Sequence, residues 1–267
     1  MLKHRVIPCL LLKDQGLVKT VKFRAATYVG DPINAVRIFN EKEVDELLFL
    51  DITASIEKRN PPFKIISEIA GECFMPLGYG GGIRSLEYIG TLFASGVEKA
   101  CVNSYAVENP SFIRSASETF GSQSIVVSID VKTSMFGKVT VHTLSGTKNT
   151  GLDAIEHAKR MEQMGAGEIF LNSIDRDGTM RGYDVTLVRK LSDAVTIPVV
   201  ACGGAGTLDD LGEVLKKGGA SAAAAGSLFV FHGKHRAVLI SYPSRRELQE
   251  VLQPSVTTQG GAVLRSE

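Results

Sequence analysis

The sequence has 267 residues, 44% of them hydrophobic, so the chain can bury a full core without disulfides or metals to hold it together. Its 30 Lys and Arg residues nearly balance 29 Asp and Glu, which argues against a broad basic surface for nucleic acid. No apolar stretch approaches the about 18 residues of a membrane span, and Lys13 and Asp14 interrupt the apolar run that a signal peptide would need.

Eight β-rich runs alternate with eight helical patterns along the chain. The predicted strands are residues 5–12, 46–52, 74–79, 99–102, 124–130, 168–172, 196–201 and 221–225. The predicted helices are residues 31–43, 63–70, 85–95, 110–120, 152–164, 185–194, 208–217 and 245–252. Most strands are continuously apolar, as parallel strands buried on both faces are. This rhythm predicts an α/β fold, a single (β/α)8 TIM barrel over residues 1–253, with a doubly wound open sheet as the alternative.

An internal repeat favours the closed barrel. Pro76 matches Pro198, Glu46 matches Glu168, and the pair Gly81-Gly82 matches Gly203-Gly204, all with the same offset. Two similar half-barrels of four βα units each explain this offset. The polar, unpatterned residues 254–267 are expected to form a disordered tail.

Four cysteines lie far apart inside apolar runs, a pattern typical of reduced, buried thiols in a cytoplasmic protein. They are Cys9, Cys73, Cys101 and Cys202. No pair has the C-x-x-C spacing, and we expect neither a metal nor a cofactor.

Both Gly-Gly pairs follow a predicted strand and precede a predicted helix. Glycine lets the backbone approach a phosphate closely, and free N–H groups at a helix start supply donors. Small polar residues also end the next strand in each half, Asn103-Ser104 and Gly226-Ser227. We therefore predict one phosphate site in each half and a ligand with two phosphate ends. Tight βα turns without a ligand are the alternative.

Carboxylates stand at the C-terminal strand ends, where barrel enzymes carry out their chemistry. Asp51 ends the second predicted strand, Asp130 ends the fifth, and Asp175 and Asp177 follow the sixth. A partly desolvated acid suits general acid–base catalysis. For Asp175 and Asp177 the alternative is a turn, because Asp-Arg-Asp-Gly is good turn chemistry.

Charged residues open four of the apolar runs, at the opposite ends of the strands. They are Arg5, Glu46, Lys99 and Glu168. From the pattern alone we interpret them as a solvated rim.

The chain resembles the cyclase subunit of imidazole glycerol phosphate synthase, the HisF family, from Arg5 to about Leu252. The motifs that carry the resemblance are Phe49-Leu50-Asp51-Ile52-Thr53-Ala54-Ser55, Gly80-Gly81-Gly82-Ile83-Arg84-Ser85, Phe120-Gly121-Ser122-Gln123, Asp175-Arg176-Asp177-Gly178 and Gly203-Gly204-Ala205-Gly206-Thr207. In that family a partner glutaminase makes ammonia at the bottom of the barrel. The ammonia travels along the barrel axis to the top, where a bisphosphate ribulose-type substrate is cyclised and cleaved.

The resemblance implies roles for individual residues. Asp130 would be one of two catalytic carboxylates, and Lys19 in the first βα loop would help to cover the substrate. The four charges at the strand starts, Arg5, Glu46, Lys99 and Glu168, would form a gate for ammonia. Substrate and phosphate contacts would come from Asp51, Gly82, Asn103, Ser104, Asp177, Gly178, Gly204 and Ser227.

The chain departs from the family pattern in two places. The family has an Asp after Cys-Leu at the end of strand one, whereas here Leu11 follows Cys9-Leu10. Aligning Lys13 with Lys132 places Leu11 opposite Asp130, and losing such a proton-transfer group commonly costs about 10²–10⁴-fold in rate. The connection at residues 231–243 is also longer than usual and carries Lys234, His235 and Arg236.

Both departures resemble a paralogous branch found with bacterial surface-polysaccharide genes. There, a glutaminase and a cyclase-like barrel are thought to supply ammonia to a sugar-amidating synthetase. Three functions stay open: such an ammonia-channelling subunit, an ordinary histidine-pathway cyclase that tolerates Leu11, and a non-catalytic scaffold that activates the glutaminase. We expect a HisH-like glutaminase at the N-terminal barrel face, a downstream synthetase at the C-terminal face and a bisphosphate small molecule, but no nucleic acid or membrane partner.

Overall fold

The computed structural model describes residues 4–252, and these form a barrel of parallel strands surrounded by helices. The strands are β1 (Arg5–Lys13), β2 (Gly16–Val21), β3 (Arg24–Gly30), β4 (Leu47–Asp51), β5 (Leu77–Gly80), β6 (Lys99–Val102), β7 (Ile125–Thr133), β8 (Val139–Thr143), β9 (Lys148–Asp153), β10 (Glu168–Ser173), β11 (Val199–Cys202), β12 (Ala222–Ala225), β13 (Phe231–His232) and β14 (Ala237–Val238). The helices are α1 (Pro32–Glu41), α2 (Phe63–Glu72), α3 (Leu86–Ala94), α4 (Ser104–Glu108), α5 (Ser111–Phe120), α6 (Ala154–Gln163), α7 (Val185–Ser192), α8 (Leu208–Lys216), α9 (Ser227–Val230) and α10 (Arg245–Leu252).

The barrel strands follow the order β1-β4-β5-β6-β7-β10-β11-β12, and the pairing of Arg5 with Ala222 closes the ring between β1 and β12. The predicted (β/α)8 barrel is therefore confirmed, and the open sheet is excluded. The domain boundary at residue 253 and the predicted tail at residues 254–267 lie outside the described residues.

The strands β2–β3, β8–β9 and β13–β14 and the short helices α4 and α9 are additions that the sequence analysis missed. Several predicted boundaries were wrong. The strands predicted to start at residues 74 and 196 begin three residues later, at Leu77 and Val199, and residues 152–153 belong to β9 rather than to a helix. Helix α6 begins at Ala154. The side chain of Asp153 caps it by accepting the N–H groups of Ile155 and Glu156 at 2.9 and 3.1 Å.

The β2–β3 and β8–β9 hairpins follow the half-barrel repeat, whereas the β13–β14 hairpin occurs in the second half only. Strands β1 and β7 are nine residues long, and each runs past the barrel into an antiparallel hairpin. Leu11 pairs with Val18 in the first hairpin, and Asp130 pairs with His142 in the second. On the other side, Leu11 pairs with Leu50 of β4, whereas Asp130 pairs with Asn172 of β10. Leu11 therefore occupies the same position in its half-barrel as Asp130 in the other.

Alternation along β1 separates the barrel interior from the outer core. Val6, Leu10 and Leu12 pack outward against the helices, while Ile7 and Cys9 face inward. The inner apolar cluster lies in the middle of the barrel and contains Ile7, Cys9, Leu48, Cys101, Val126, Phe170, Val200, Ala222 and Ala224. Layers of side chains from successive strands fill such barrels, so the interior is a packed core rather than an open pore.

All four cysteines are free thiols, and Cys73 and Cys202 are only half-buried. Within residues 4–252 we find no helix that could cross a bilayer. The same residues bring together no group of three or more His, Cys, Asp or Glu side chains that could hold a metal ion.

Candidate active site

The C-terminal mouth of the barrel encloses a cavity of about 450 Å³. Every residue predicted to contact substrate lines it, which brings together side chains from both half-barrels. These residues are Lys19, Asp51, Gly82, Asn103, Ser104, Asp130, Asp177, Gly178, Gly204 and Ser227. The structure thus gathers the predicted set at one site, and substrate contact by each member stays a prediction.

The glycine loop of the first half admits no larger residue. Gly82 has a φ of +69°, and a Cβ there would lie 2.6 Å from the carbonyl oxygen of Arg59. Behind it, Asp51 is buried, and its carboxylate accepts the N–H groups of Thr53 and Ala54 at 3.0 and 2.9 Å. Asp51 therefore fixes the loop that faces Gly82.

The glycine loop of the second half is equally tight. Gly204 has a φ of +112°, and a Cβ there would lie 2.1 Å from the carbonyl oxygen of Gly182. A Cβ at Gly226 would lie 2.3 Å from Nζ of Lys19, so this buried amine sits over the backbone that leads into Ser227. Lys19 thus brings a positive charge to the half-site where we predict a phosphate.

The donors expected at the helix starts are partly used within the chain. Helix α3 begins at Leu86, and Ser85 caps it by accepting the N–H of Tyr88 at 3.2 Å. Thr207 and Asp210 form a capping box at the start of α8. The N–H groups of the glycine loops themselves are therefore the better placed phosphate donors.

Three residues that line the cavity each carry a buried polar atom with no hydrogen-bond partner among residues 4–252. The atoms are Oδ1 of Asn103, Oδ1 of Asn172 and Oγ of Ser227. Because an unpaired buried polar atom costs about 1–3 kcal/mol, such atoms converging in one cavity indicate a polar ligand.

Asp130 has the properties of a general acid or base at neutral pH. Burial raises the pKa of its carboxyl from 3.8 to about 7; hydrogen bonds from Asn172 and Ser128 lower it, and the charge of Asp177 raises it. Asn103 also donates to Oδ2 of Asp130 at 2.9 Å. A pKa near the working pH is what proton transfer in both directions requires.

The facing position of the other half is apolar. Leu11 and Leu50 stand where Asp130 and Asn172 stand across the cavity. Asp14, the acid nearest to Leu11 in sequence, is exposed in the β1–β2 turn with a φ of +49°. The site is therefore one-sided at this pair of equivalent positions, with a carboxyl group in the second half-barrel and an apolar side chain in the first.

Two hairpins cover the mouth, and residues singled out by the sequence hold them there. Oδ2 of Asp177 accepts the Thr20 hydroxyl at 2.7 Å and the Phe23 N–H at 3.1 Å, which fastens the β2–β3 hairpin. Oγ of Ser104 accepts the N–H of Leu144 at 3.0 Å, which fastens the β8–β9 hairpin. Oδ2 of Asp175 accepts the Thr133 N–H at 2.8 Å, so both acids support neighbouring segments.

Thr20, Phe23, Ser128, Leu144, Ser145 and Asn172 also line the cavity, although the sequence analysis did not single them out. The repeat could have found Asn172, because the offset that relates Glu46 to Glu168 relates Leu50 to Asn172. No sequence signal pointed to the hairpin residues.

The four charges at the strand starts form a closed ring across the barrel bottom, which we call the charged ring: Arg5, Glu46, Lys99 and Glu168. Arg5 donates to both carboxylates, and Nζ of Lys99 lies 2.9 Å from an oxygen of each. Glu46 and Glu168 are only 5% exposed, so the solvated rim inferred from the pattern is wrong. Although burial opposes it, the two carboxylates raise the pKa of the Arg5 guanidinium.

Fold and site together define a (β/α)8 barrel of two half-barrels, with a ligand cavity at one end and a charged ring at the other. A family model described as histidine biosynthesis protein matches residues 5–236, and the chain belongs to this family. A Pseudomonas aeruginosa protein named "Putative imidazole glycerol phosphate synthase subunit hisF2" is 55% identical over 93% of this chain and 99% of its own length. A Vibrio vulnificus protein named "Putative imidazole glycerol phosphate synthase subunit hisF3" is 50% identical over 95% of this chain and 98% of its own length. A Leptospira interrogans protein, named as the HisF subunit of the same synthase, is 50% identical over 92% of this chain and 98% of its own length.

We expect a sugar bisphosphate to bind with one phosphate in each half. Gly82→Ala and Gly204→Ala should each weaken binding about tenfold or more, because the new methyl group meets backbone oxygen. The matched control is Gly151→Ala, which has a similar φ of +74° and nothing within 4 Å. Calorimetric titration of each variant measures the effect. Equal affinity in all three variants, or saturation with only one half filled, would contradict two phosphate sites.

Asp130 should make the stability of the fold depend on pH. The folded state keeps this proton to about pH 7, whereas the unfolded chain loses it near 3.8, so the free energy of unfolding falls as pH rises between those values. Asp130→Asn should remove that fall and be the more stable variant above pH 7. Urea unfolding at pH 4.5 and pH 8 measures the difference. If the difference in free energy of unfolding between the wild type and Asp130→Asn is the same at both pH values, the carboxyl is ionised throughout.

Proposed function

We propose that this chain is the ammonia-channelling, cyclase-type subunit of a glutamine amidotransferase complex. Its ammonia would serve the amidation of a surface-polysaccharide sugar by acetamidino formation. Its membership in the HisF family of cyclase subunits supports the general role. The observation that carries the finer proposal is the one-sided site, which keeps the cavity but has Leu11 opposite Asp130.

The lining of the barrel interior favours passage of a small neutral molecule between its packed side chains. The charged ring closes the bottom, the inner apolar cluster follows, and the cavity begins at Cys9, Cys101 and Cys202. An apolar lining favours ammonia over ammonium because burying an unpaired charge is costly. A HisH-like glutaminase docked over the charged ring would release ammonia at the start of this route. Its own charges could reopen the ring, since ion pairs of this kind exchange partners.

The cavity supports a bound anionic ligand but only half of a paired acid–base mechanism. Asp130 can hold or release one proton near neutral pH, and no ionisable group stands at the equivalent position of the first half, Leu11. Cyclisation and cleavage of a ribulosyl substrate would need a second proton-transfer group. The glycine loops, Lys19 and the unpaired polar atoms can still bind and orient such a ligand.

The second candidate is the cyclase subunit of imidazole glycerol phosphate synthase in histidine biosynthesis. It would convert the bisphosphate ribulosyl substrate and ammonia to imidazole glycerol phosphate and the aminoimidazole carboxamide ribotide. The names of the relatives favour this candidate. Leu11 argues against it, because a leucine side chain cannot transfer a proton. A third candidate, a scaffold that only activates the glutaminase, does not account for the charged ring and apolar interior.

The deciding experiment follows nitrogen from glutamine labelled at the amide. In cells that carry the gene for this chain, its deletion should abolish the acetamidino groups of the surface polysaccharide. Growth on medium without histidine should be unaffected. Restoring the chain should return label from glutamine to those groups. A histidine requirement with unchanged polysaccharide would establish the histidine-pathway cyclase instead. Unchanged polysaccharide with normal growth would remove both enzyme roles and leave the scaffold.

A further inference from the structure

A second concave surface lies on the catalytic face outside the cavity. It is an open groove of about 490 Å³, lined by Val21, Lys22, Asp175, Arg176, Gly178, Thr179, Arg181 and Arg236. We call this surface the basic groove. The backbone of loop 176–178 separates it from the cavity, since Gly178 borders both.

The basic groove has an excess of fixed positive charge. Lys22, Arg176, Arg181 and Arg236 contribute four cations, and across residues 4–252 none of them forms an ion pair with a carboxylate. Its single acid, Asp175, is engaged by the Thr133 N–H. Unpaired like charges held together repel one another, so the arrangement fits an anionic partner.

Two of the cations are held in place by contacts that leave their charge available. Nη1 of Arg176 donates to the carbonyl oxygens of Arg181 and Gly182 at 3.2 and 3.3 Å. The guanidinium carbon of Arg236 lies 4.5 Å from the centroid of the Phe231 ring. A prepositioned guanidinium loses little conformational entropy on binding, as at interface sites where Arg contributes most.

Exposed apolar side chains lie on three hairpins that carry or contact residues of the basic groove. Val21 lies on β2 and is 40% exposed. Val238 on β14 and the next residue, Leu239, lie shortly after Arg236 in sequence, and each is about half exposed. Met135 and Phe136 are fully exposed in the β7–β8 turn, whose base at Thr133 is bonded to Asp175. In contrast, Tyr242 is buried and donates its hydroxyl to Val6, so it belongs to the core rather than to this surface.

We propose that the basic groove docks a partner protein that presents acidic side chains around an apolar patch. Resting on the proposed function, we infer that this partner is the ammonia-consuming enzyme of the complex. Arg, Met and Phe are enriched at protein interfaces, and exposed apolar side chains on the hairpins next to these cations fit a protein better than a small phosphate. Docking here places the partner beside the cavity mouth, so that ammonia reaches it without entering bulk water.

The test uses the full chain and three probes: a fluorescent peptide of glutamates interrupted by Leu and Phe, an all-glutamate peptide, and inorganic pyrophosphate. The mixed peptide should bind most tightly. Arg181→Glu with Arg236→Glu should weaken it about tenfold or more. Lys64→Glu with Arg114→Glu, two exposed cations on α2 and α5, changes net charge equally and should leave binding intact. Met135→Ser with Phe136→Ser should weaken the mixed peptide but not the all-glutamate one.

Equal loss in the control pair, or no loss in the groove pair, would overturn the docking surface. Pyrophosphate binding that equals the mixed peptide and depends on the same arginines would replace it with a small-anion site. Incorporation of labelled nitrogen from glutamine into the amidated product is measured in the same variants. Normal transfer without peptide binding removes only the groove, whereas absent transfer in the wild-type complex removes the proposed function.

Discussion

Leu11→Asp should raise cyclase turnover with free ammonia and the histidine-pathway substrate about 10²-fold. The wild-type chain should be a poor catalyst, because Leu11 stands at the position equivalent to Asp130 and cannot transfer a proton. The new carboxyl would line the cavity beside Cys9 and Leu50. Burial among these apolar groups should raise its pKa toward neutrality, which suits an acid–base role.

Two variants make this result specific. Leu50→Asp places a carboxylate one strand away on the same wall of the cavity and should gain little. Leu11→Asp combined with Asp130→Asn should lose the gain, because the pair then again has one member. Product formation is followed at saturating ammonium, with substrate affinity measured in parallel. A wild-type rate that already matches an ordinary cyclase would show that Leu11 does not limit the chemistry.

Lys99→Ala should uncouple glutamine hydrolysis from use of its ammonia. Lys99 bridges Glu46 and Glu168 at 2.9 Å, and its removal leaves two largely buried carboxylates with Arg5 alone. The ring should loosen, so that the share of glutamine nitrogen reaching the final product falls severalfold while glutaminase binding persists. The free energy of unfolding should fall by about 1–3 kcal/mol, less than for a fully buried pair because Lys99 is 20% exposed.

Competition between labelled glutamine and unlabelled ammonium in the buffer measures the coupling. Lys99→Arg keeps the positive charge and should keep most of the coupling. Lys64→Ala, an exposed lysine on α2, controls for loss of one charge. If glutaminase stimulation and nitrogen transfer are both unchanged in Lys99→Ala, the charged ring serves stability alone.

The sequence predicted the barrel because its signals are local and repeated. Each barrel strand is a continuous apolar run, and Gly81-Gly82 and Gly203-Gly204 recur at one offset. These signals also placed the cavity residues at one end of the barrel. The β2–β3 and β8–β9 hairpins escaped because they carry mixed polarity and are stabilised by residues distant in sequence, such as Asp177 with Thr20.

The charged ring shows the other limit. Its four members come from β1, β6, β10 and the residue before β4, and only barrel closure brings them together. Each charge alone reads as a solvent-exposed strand start, and burial follows from partners up to 163 positions away. Likewise, the roles of Asp175 and Asp177 in holding hairpins depend on backbone N–H groups of other elements. No short stretch of the sequence contains both partners of such a contact, so the contact cannot be predicted from local patterns.

The equivalence of Leu11 and Asp130 bears on how such a chain changes its chemistry. A scaffold that contains every position twice can lose a reactive group from one copy while the other copy still shapes the cavity. The glycine loops at Gly82 and Gly204 remain under the same steric constraint in both copies, since backbone oxygen leaves room for no side chain. Duplication thus allows recognition, which we predict both copies share, to be separated from reactivity, which one copy can give up without unfolding the protein.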